Sequence, residues 1–262
     1  MVLELKGVSK SFAAPDGVGV TQALAPVDLA VEQGEFVSLV GPSGCGKSTL
    51  LRIVAGLTKP TTGTVSLDGK PIEGAGPERG LAFQKPTLFP WLTVEQNVAF
   101  GPRMAGKADA SREHVSRLIE LAGLSEFKDS YPHQLSGGMA QRAALVRTMV
   151  MEPEVFLLDE PLSALDAFTR MTMQDEILSM WQRLNSTMIM VTHDVDEAIY
   201  MGGSILVMAP RPGRILERVE VGMPYPRDRT SERFFEIRSH VLNLLDFGSR
   251  KPGDAGKDAA EA

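Results

Sequence analysis

The sequence has little cysteine and lacks long apolar stretches. Its 262 residues include a single cysteine, Cys45, which excludes an internal disulfide and a multi-cysteine metal site. No uninterrupted apolar run approaches the roughly 18–20 residues of a membrane-spanning helix. The opening residues, MVLELKGVSK, lack the apolar block of a signal peptide. We therefore expect a protein that is made and kept in the cytoplasm.

Positive charge is also scarce. Lys and Arg total 27 against 33 Asp and Glu, which gives a formal net charge of -6. Because a nucleic-acid surface needs clustered Lys and Arg, we expect no nucleic-acid partner. The chain is 43% hydrophobic and long enough to bury one core or two closely joined cores. We expect one main domain with a smaller lobe.

Continuous apolar runs predict the central strands of an α/β fold. Because these runs do not alternate with polar residues, we expect strands covered on both faces by other layers. The first segment, VLELKGVSKSF, is interpreted as a sheet edge, and a Gly/Pro loop at 15–19 separates it from the first buried strand. The four runs are FVSLV (36–40), VFLLD (155–159), MIMVT (188–192) and ILVM (205–208).

Two regions stand apart from these strands. Residues 95–150 are mostly helical in pattern, with Val115, Leu118, Ile119 and Ala122 at helical spacing, so we predict a helical subdomain inserted into the α/β core. Residues 247–262 have no apolar face to bury and are predicted to be a disordered tail.

One glycine-rich segment has the spacing of a phosphate-binding loop. GPSGCGKS (41–48) directly follows FVSLV and precedes a helical pattern, which is the context that G-x-x-x-x-G-K-S requires. Its glycines let backbone N–H groups turn towards a β-phosphate, and the next helix points its positive end there. Lys47 supplies charge for the β- and γ-phosphates, and Ser48 offers a hydroxyl to Mg²⁺. The alternative is a purely structural glycine turn.

Acidic and histidine side chains follow two of the predicted strands. Asp159 ends VFLLD at the carboxyl edge, where ligands bind in open α/β sheets, and suits a Mg²⁺ shell. Glu160 comes next and is the candidate to polarise the water that attacks a γ-phosphate. His193 follows MIMVT and is expected near the same phosphate. The alternatives are acids that only cap a strand and a structural histidine.

The segment LSGGMAQRAALVRTM (135–149) resembles the signature motif of ABC (ATP-binding cassette) ATPases, and the other motifs follow in that family's order over roughly residues 1–245. The resemblance implies an α/β fold: a P-loop NTPase cassette with a mixed-sheet core, an antiparallel β subdomain and an inserted helical subdomain. Residues 1–246 would form the ATPase domain. The resemblance also implies a dimer that sandwiches two ATP, with Mg²⁺ as cofactor.

The resemblance further implies a role for each matching residue. Phe12 would stack on adenine, Gln84 would contact Mg²⁺, Asp166 would belong to the D-loop, Glu160 would be the catalytic base and His193 the catalytic switch. Ser136, Gly137 and Gly138 would touch the γ-phosphate held by the opposite subunit. The implied P-loop contacts to ATP are Gly41, Pro42, Ser43, Gly44, Cys45, Gly46, Lys47, Ser48 and Thr49, and the implied Mg²⁺ ligands are Ser48, Gln84 and Asp159.

Further segments resemble one branch of the family, the import cassettes for nitrate, sulfonates and taurine. They are YPHQ before LSGGM, GPERGLAFQKPTLFPWLTVEQNV (76–98) and RPGRI (211–215). Two residues depart from the family pattern: Met139 stands where the commonest signature has glutamine, and Lys85 stands where this branch often has an acidic or amide residue. The resemblance implies a homodimer, or a pair with a second ABC subunit, bound to two transmembrane permease subunits and served by a solute-binding protein. Such a cassette is peripheral, on the cytoplasmic side of the inner membrane.

The loop PTLFPWLT (86–93) would help to receive the permease. Phe89 and Trp91 would then anchor that contact, or they pack under their own loop.

The alternative function is that of a soluble ABC ATPase outside transport. We disfavour it because the sequence has neither a long coiled-coil insertion nor a second cassette. A degenerate, non-hydrolysing cassette is disfavoured by Glu160 and His193.

Overall fold

A computed structural model describes residues 2–13, 19–107 and 112–249. Within these ranges, ten strands form two sheets and eight α-helices surround them. The strands are β1 (Val2–Ala13), β2 (Val20–Glu32), β3 (Phe36–Val40), β4 (Thr62–Leu67), β5 (Lys70–Pro71), β6 (Arg79–Ala82), β7 (Val155–Asp159), β8 (Thr187–Thr192), β9 (Ser204–Ala209) and β10 (Arg214–Glu220). The helices are α1 (Lys47–Val54), α2 (Val94–Val98), α3 (Phe100–Met104), α4 (Arg112–Leu121), α5 (Gly137–Met149), α6 (Ala167–Leu184), α7 (Val195–Met201) and α8 (Glu232–Ser249).

The larger sheet has the strand order β10-β9-β3-β8-β7-β6. Its pairs are parallel except for β9 with the edge strand β10, so the sheet is mixed. The four predicted central strands are confirmed, and every residue of β3, β7, β8 and β9 is buried.

The continuous apolar runs arise because both faces of this sheet are covered. In β7, Phe156 and Leu158 pack into one hydrophobic cluster with α5 to α8. Val155 and Leu157, which point to the other face, pack with α1 and the second sheet. Side chains that alternate between two buried faces are therefore mostly apolar on both faces.

The smaller sheet is antiparallel, in the order β2-β1-β4-β5. The prediction that the first segment is a sheet edge was wrong, because β1 pairs with both β2 and β4. The edges are β2 and β5, and β2 carries Pro26 and buries Leu24, Leu29 and Val31 on one face. Proline is tolerated at such an edge because it need not donate to a neighbouring strand. Most of the predicted loop, residues 15–18, lies outside the described residues.

Between β6 and β7, the regular secondary structure of the described residues is all helical. It comprises α2 to α5 and two 3-10 turns, at Ser125–Phe127 and Pro132–Gln134. The stretch coincides with the predicted helical subdomain, and Val115, Leu118, Ile119 and Ala122 are buried as the pattern predicted. These residues share a cluster with Phe156 of β7, so the helical region and the core are continuous. The subdomain boundary stays a prediction.

Two further findings bear on the sequence predictions. The last helix runs to Ser249, so its final three residues, 247–249, are helical where a disordered tail was predicted. The remainder of that segment, 250–262, lies outside the described residues. Among the helices in the described ranges, none combines the length and apolar character needed to cross a membrane.

Candidate active site

The predicted motifs meet at one edge of the mixed sheet. Strand β8 lies between β3 and β7, and the carboxyl ends of these parallel strands lead into the P-loop, Glu160 and His193. The register places Val40 beside Thr192 and Asp159 beside Val191. Parallel strands bring residues that are distant in sequence to a common edge, where open α/β sheets bind ligands.

Two glycines of the P-loop are required by close packing. Gly46 is the N-cap of α1 and has a φ of 94°, a left-handed conformation that favours glycine. A Cβ on Gly41 would lie 2.6 Å from the carbonyl oxygen of Met208. The loop therefore turns tightly from β3 into α1 and directs the free N–H groups of the helix start to one place.

Lys47 folds back into this loop and is only 6% exposed. Its ammonium donates to the carbonyl oxygens of Gly41, at 2.6 Å, and Pro42, at 3.1 Å. The buried Cys45 Sγ lies 3.7 Å from Lys47 Nζ. The loop thus concentrates backbone N–H groups and one positive charge, which is the chemistry of a phosphate site.

Ser48 and Asp159 form a pair beside Lys47. The Ser48 hydroxyl donates to Asp159 Oδ1 at 2.9 Å. Burial raises the pKa of the Asp159 carboxyl, and the neighbouring Glu160 charge adds to the rise, while the hydrogen bond from Ser48 opposes it. A buried carboxylate with raised proton affinity favours a compensating cation.

The donor set fits Mg²⁺. Hydroxyl and carboxylate oxygens are the hard ligands that this ion prefers, and adjacent ligands of an octahedral shell with bonds of about 2.0–2.1 Å stand about 2.9 Å apart. Ser48 and Asp159 already have this spacing. Gln84, the third predicted ligand, instead directs its amide nitrogen to Glu160, so its role at the metal stays a prediction.

Glu160 connects two other predicted residues. Its Oε2 accepts a hydrogen bond from Gln84 Nε2 at 3.0 Å and lies 3.3 Å from His193 Nδ1. The Glu160 backbone has a φ of 47°, which is uncommon for a residue other than glycine, and its N–H donates to the Val191 carbonyl. This backbone turn carries Glu160 away from the direction of Asp159, so the two acids have different surroundings.

Glu160 and His193 also line a polar pocket whose other residues were not among the predicted site residues. The loop after β7, the end of β8 and the starts of α6 and α7 form this pocket, and Leu162 is its apolar lining residue. Its lining includes Ser163, Arg170, Thr192, Asp194 and Glu197.

A hydrogen-bond network fixes this wall of the pocket. Asp194 caps α7 by accepting the Glu197 N–H at 3.1 Å, and Arg170 lies 3.8 Å from Asp194. Burial raises the pKa of the Glu197 carboxyl, which accepts from Gln174 Nε2 at 3.1 Å. The D-x-x-E spacing of Asp194 and Glu197 is a helix-start pattern that could have drawn attention to them. Nothing in the sequence linked them to Gln174.

Other predicted residues lie outside this hydrogen-bonded cluster. Phe12 is 45% exposed on β1, with Lys10 Nζ 5.0 Å from the centroid of its ring. Ser136 is the N-cap of α5, and its hydroxyl accepts the Met139 N–H at 3.3 Å. Gly137 begins that helix. In the described residues no hydrogen bond joins Phe12 or the signature residues to Glu160 or the P-loop.

Asp166 is a helix cap in this structure. Its carboxylate accepts the Thr169 N–H at 3.0 Å and the Thr169 hydroxyl at 2.7 Å, and these bonds lower the pKa of Asp166. A Cβ on Gly138 of the signature would lie 3.4 Å from the side chain of Leu165, so the signature helix approaches the segment just before Asp166. A nucleotide contact by Asp166 stays a prediction.

The two aromatic residues of the predicted docking loop behave differently. The Phe89 ring packs against Phe100 at 4.5 Å between centroids, beneath the Arg147 guanidinium. The buried Asn97 side chain holds the same loop by donating to the carbonyl oxygens of Phe89 and Leu92. Trp91 is 69% exposed, although its ring lies 5.6 Å from the Phe89 ring between centroids. Phe89 therefore supports the loop from below and Trp91 projects from it.

Comparisons with known proteins agree with this geometry. A family model described as ABC transporter matches residues 24–163. The chain is 50% identical over 225 residues to an uncharacterized ABC transporter ATP-binding protein of Methanocaldococcus jannaschii, covering 86% of this chain and 84% of the relative. It is 46% identical over 246 residues to the aliphatic sulfonates import ATP-binding protein SsuB of Bacillus licheniformis, covering 94% and 95%. It is 44% identical over 253 residues to the taurine import ATP-binding protein TauB of Jannaschia sp., covering 93% of each.

A solved structure gives the same fold. The dimeric ATP-binding cassette MJ0796, in a post-hydrolysis state bound to ADP and Pi, aligns with a TM-score of 0.75 at 31% identity. The alignment covers 83% of this chain and 98% of the MJ0796 chain.

Proposed function

The chain belongs to the ABC transporter family, whose ATP-binding subunits hydrolyse ATP to drive transport, and we propose that it powers the import of a small polar solute. The proposed solute class is that of nitrate, sulfonates and taurine; relatives named for aliphatic sulfonate and taurine import, which match over most of the chain, support sulfonates and taurine within it. The observation that carries the hydrolytic part is the contact of Glu160 with Gln84 and His193 beside the P-loop.

The P-loop would hold the nucleotide through its phosphates. Backbone N–H groups of residues 41–49, except Pro42, which has none, would surround the β-phosphate, and Lys47 would turn its ammonium from the Gly41 and Pro42 carbonyls to the β- and γ-phosphates. Phe12, exposed on β1, offers a stacking face to adenine. Ser48, Asp159 and Gln84 would hold Mg²⁺, and the ion would supply positive charge to the phosphates during hydrolysis.

Glu160 would act on the attacking water. Its carboxylate accepts a water proton and orients the oxygen towards the γ-phosphate, while Gln84 and His193 fix its Oε2 from two directions. His193 is 65% exposed on its side chain, so it can also reach a phosphate oxygen. Positioning and charge stabilisation, with no covalent intermediate, account for most of the catalysis in phosphoryl transfer.

The working unit would be a dimer. The signature helix α5 begins with Gly137 and Gly138, whose N–H groups form an anion site that has no lysine of its own. Such a half-site is completed by the γ-phosphate of an ATP held in a second copy or in a second ABC subunit. The dimeric form of the MJ0796 cassette supports this arrangement.

The membrane partners would be two permease subunits, bound at the cytoplasmic side of the inner membrane and supplied by a solute-binding protein. Trp91 is the proposed anchor, since exposed tryptophan at the centre of an interface contributes strongly to binding. The packing of Phe89 against Phe100 and the hydrogen bond from Asn97 to the Phe89 carbonyl fix the loop, so that Trp91 stays exposed to a partner.

Purification from detergent-solubilised membranes tests this assembly. We expect a hydrophobic permease to accompany the native protein, and we expect Trp91→Ala to lose it while keeping ATP hydrolysis. Phe235→Ala is the matched control, because Phe235 is an exposed aromatic residue on α8, away from the loop. Recovery of only soluble partners with the native protein would favour the non-transport ATPase instead.

A further inference from the structure

The turn that joins β9 to β10 lies against the back of the P-loop. It belongs to the RPGRI segment (211–215), none of whose residues has a role in the proposed hydrolysis. The Gly213 N–H donates to the carbonyl of Ala23 at 3.0 Å, and the Gly213 carbonyl accepts the N–H of Ala25 at 2.8 Å. These bonds tie the turn to β2, the edge strand of the antiparallel sheet.

Gly213 brings this turn into close contact with the P-loop. A Cβ on Gly213 would lie 2.1 Å from the Cys45 carbonyl oxygen and 2.8 Å from the Ala23 carbonyl oxygen. Both distances are shorter than the 3.0 Å below which real Cβ atoms are essentially never found. Any side chain here must therefore displace backbone.

The Cys45 carbonyl matters because it shares a rigid peptide plane with the Gly46 N–H. Gly46 is the N-cap of α1, so its N–H is one of the donors that the P-loop directs at phosphate. Gly46 itself is closely packed against β2, since a Cβ on it would lie 2.5 Å from Leu24 Cδ2 and 3.1 Å from the Ala23 carbonyl oxygen. A push on the carbonyl oxygen from Gly213 would therefore tilt the N–H.

We propose that Gly213 is a positioning residue for nucleotide binding: its lack of a side chain lets the β9–β10 turn support the Cys45–Gly46 peptide in the orientation that binds phosphate. The proposal rests on the proposed function, in which the P-loop holds ATP. It also gives the RPGRI segment a role, as a clamp between the antiparallel sheet and the P-loop.

Gly213→Ala tests the proposal, because it should weaken nucleotide binding while leaving turnover at saturating ATP nearly unchanged. We expect the dissociation constants of both ATP and ADP to rise by about ten- to a hundredfold, the effect of losing one hydrogen bond to a charged group. The two should rise by the same factor, because both ligands carry a β-phosphate. Turnover at saturating ATP should stay within about twofold, since Glu160 lies on another strand end.

Gly203→Ala is the matched control. Gly203 precedes β9, the same strand that leads to the turn, but a Cβ there would meet nothing closer than the Phe36 carbonyl oxygen at 3.5 Å, an ordinary contact. Its nucleotide affinities should equal those of the native protein. If Gly213→Ala binds ATP and ADP as tightly as this control, or loses turnover with affinity unchanged, the proposal is wrong.

Hydrogen exchange on the native protein gives a second test if Gly213→Ala does not fold. Coupling between two sites is reciprocal, so ADP should slow exchange of the Gly213 and Ala25 amides but not of the Gly203 amide. Protection of the P-loop without protection of Gly213 and Ala25 would overturn the proposal. Failure of the native protein to bind ADP would instead count against the proposed function itself.

Discussion

Replacement of Glu160 by glutamine separates the chemistry of the site from its binding. Glutamine has the shape of glutamate, and its amide oxygen can still accept the Gln84 hydrogen bond of 3.0 Å. The phosphate cradle around Lys47 and the Ser48–Asp159 pair do not contact the Glu160 side chain through any hydrogen bond in the described residues. The substitution should therefore leave the fold and the P-loop unchanged and remove only the basic carboxylate.

General-base catalysis contributes about 10²- to 10⁴-fold to rate, or roughly 2.7 to 5.4 kcal/mol of barrier at about 1.36 kcal/mol per tenfold. Because the Glu160 carboxylate has two direct partners that orient it, we expect Glu160→Gln to lower turnover by at least about a hundredfold. ATP affinity should be equal or tighter, since one negative charge is removed from beside the triphosphate. ATP should then hold a long-lived dimer.

The assays are steady-state phosphate release, titration of a fluorescent ATP analogue and light scattering with and without ATP. Glu154→Gln is the matched control, because Glu154 directly precedes β7 and Glu160 directly follows it. Because the five residues of β7 lie between them, Glu154 and Glu160 are six steps of about 3.3 Å apart, or roughly 20 Å. Phosphate release by Glu160→Gln at the rate of this control would refute the assignment of Glu160 as the base.

Three further predictions concern adenine, magnesium and pH. Phe12→Ala should raise the ATP dissociation constant about 5- to 150-fold, because base–aromatic stacking contributes about 1–3 kcal/mol; an unchanged constant in a fluorescence titration would exclude Phe12 as the adenine contact. Asp159→Asn should raise the Mg²⁺ concentration for half-maximal hydrolysis at least about tenfold, since a charged ligand becomes neutral; the native Mg²⁺ requirement in that titration would contradict a metal role. For Glu197, burial raises the folded-state pKa, so its contribution to stability is complete below the unfolded value of 4.5 and is lost as pH rises through the folded value. The free energy of unfolding of Glu197→Gln, measured by urea titration, should thus exceed that of the native protein at about pH 7.5 and equal it at about pH 4. If the unfolding free energies of the two proteins depended on pH in the same way, burial would not raise the pKa of Glu197.

The parts of the fold that could be predicted are those whose pattern reflects a single physical demand. The strands at 36–40 and 155–159 have the predicted bounds because burial on both faces requires unbroken apolar runs. The P-loop could be predicted because phosphate recognition fixes the spacing from Gly41 to Ser48. In each case the signal lies within about ten consecutive residues.

Pairing between distant segments could not be predicted in this way. Strand β1 lies between β2 and β4, but strand order depends on partners that local alternation does not specify. The same limit applies to the pocket beside His193, where Glu197 of α7 meets Gln174 of α6. The two residues are 23 positions apart in sequence, and no short motif contains both.

Met139 illustrates how a departure from a family pattern can leave a site intact. Its half-buried side chain packs against the main hydrophobic cluster, so an apolar contact anchors the start of α5 where the usual residue would offer a polar one. Its backbone N–H meanwhile donates to the Ser136 hydroxyl and completes the cap. The hydroxyl keeps its own proton and can still donate to phosphate, as can the N–H groups of Gly137 and Gly138. The proposed recognition of phosphate by this helix start would therefore depend on backbone and cap, which Met139 preserves, and the proposed half-site keeps the groups that an ATP held by a second subunit would need.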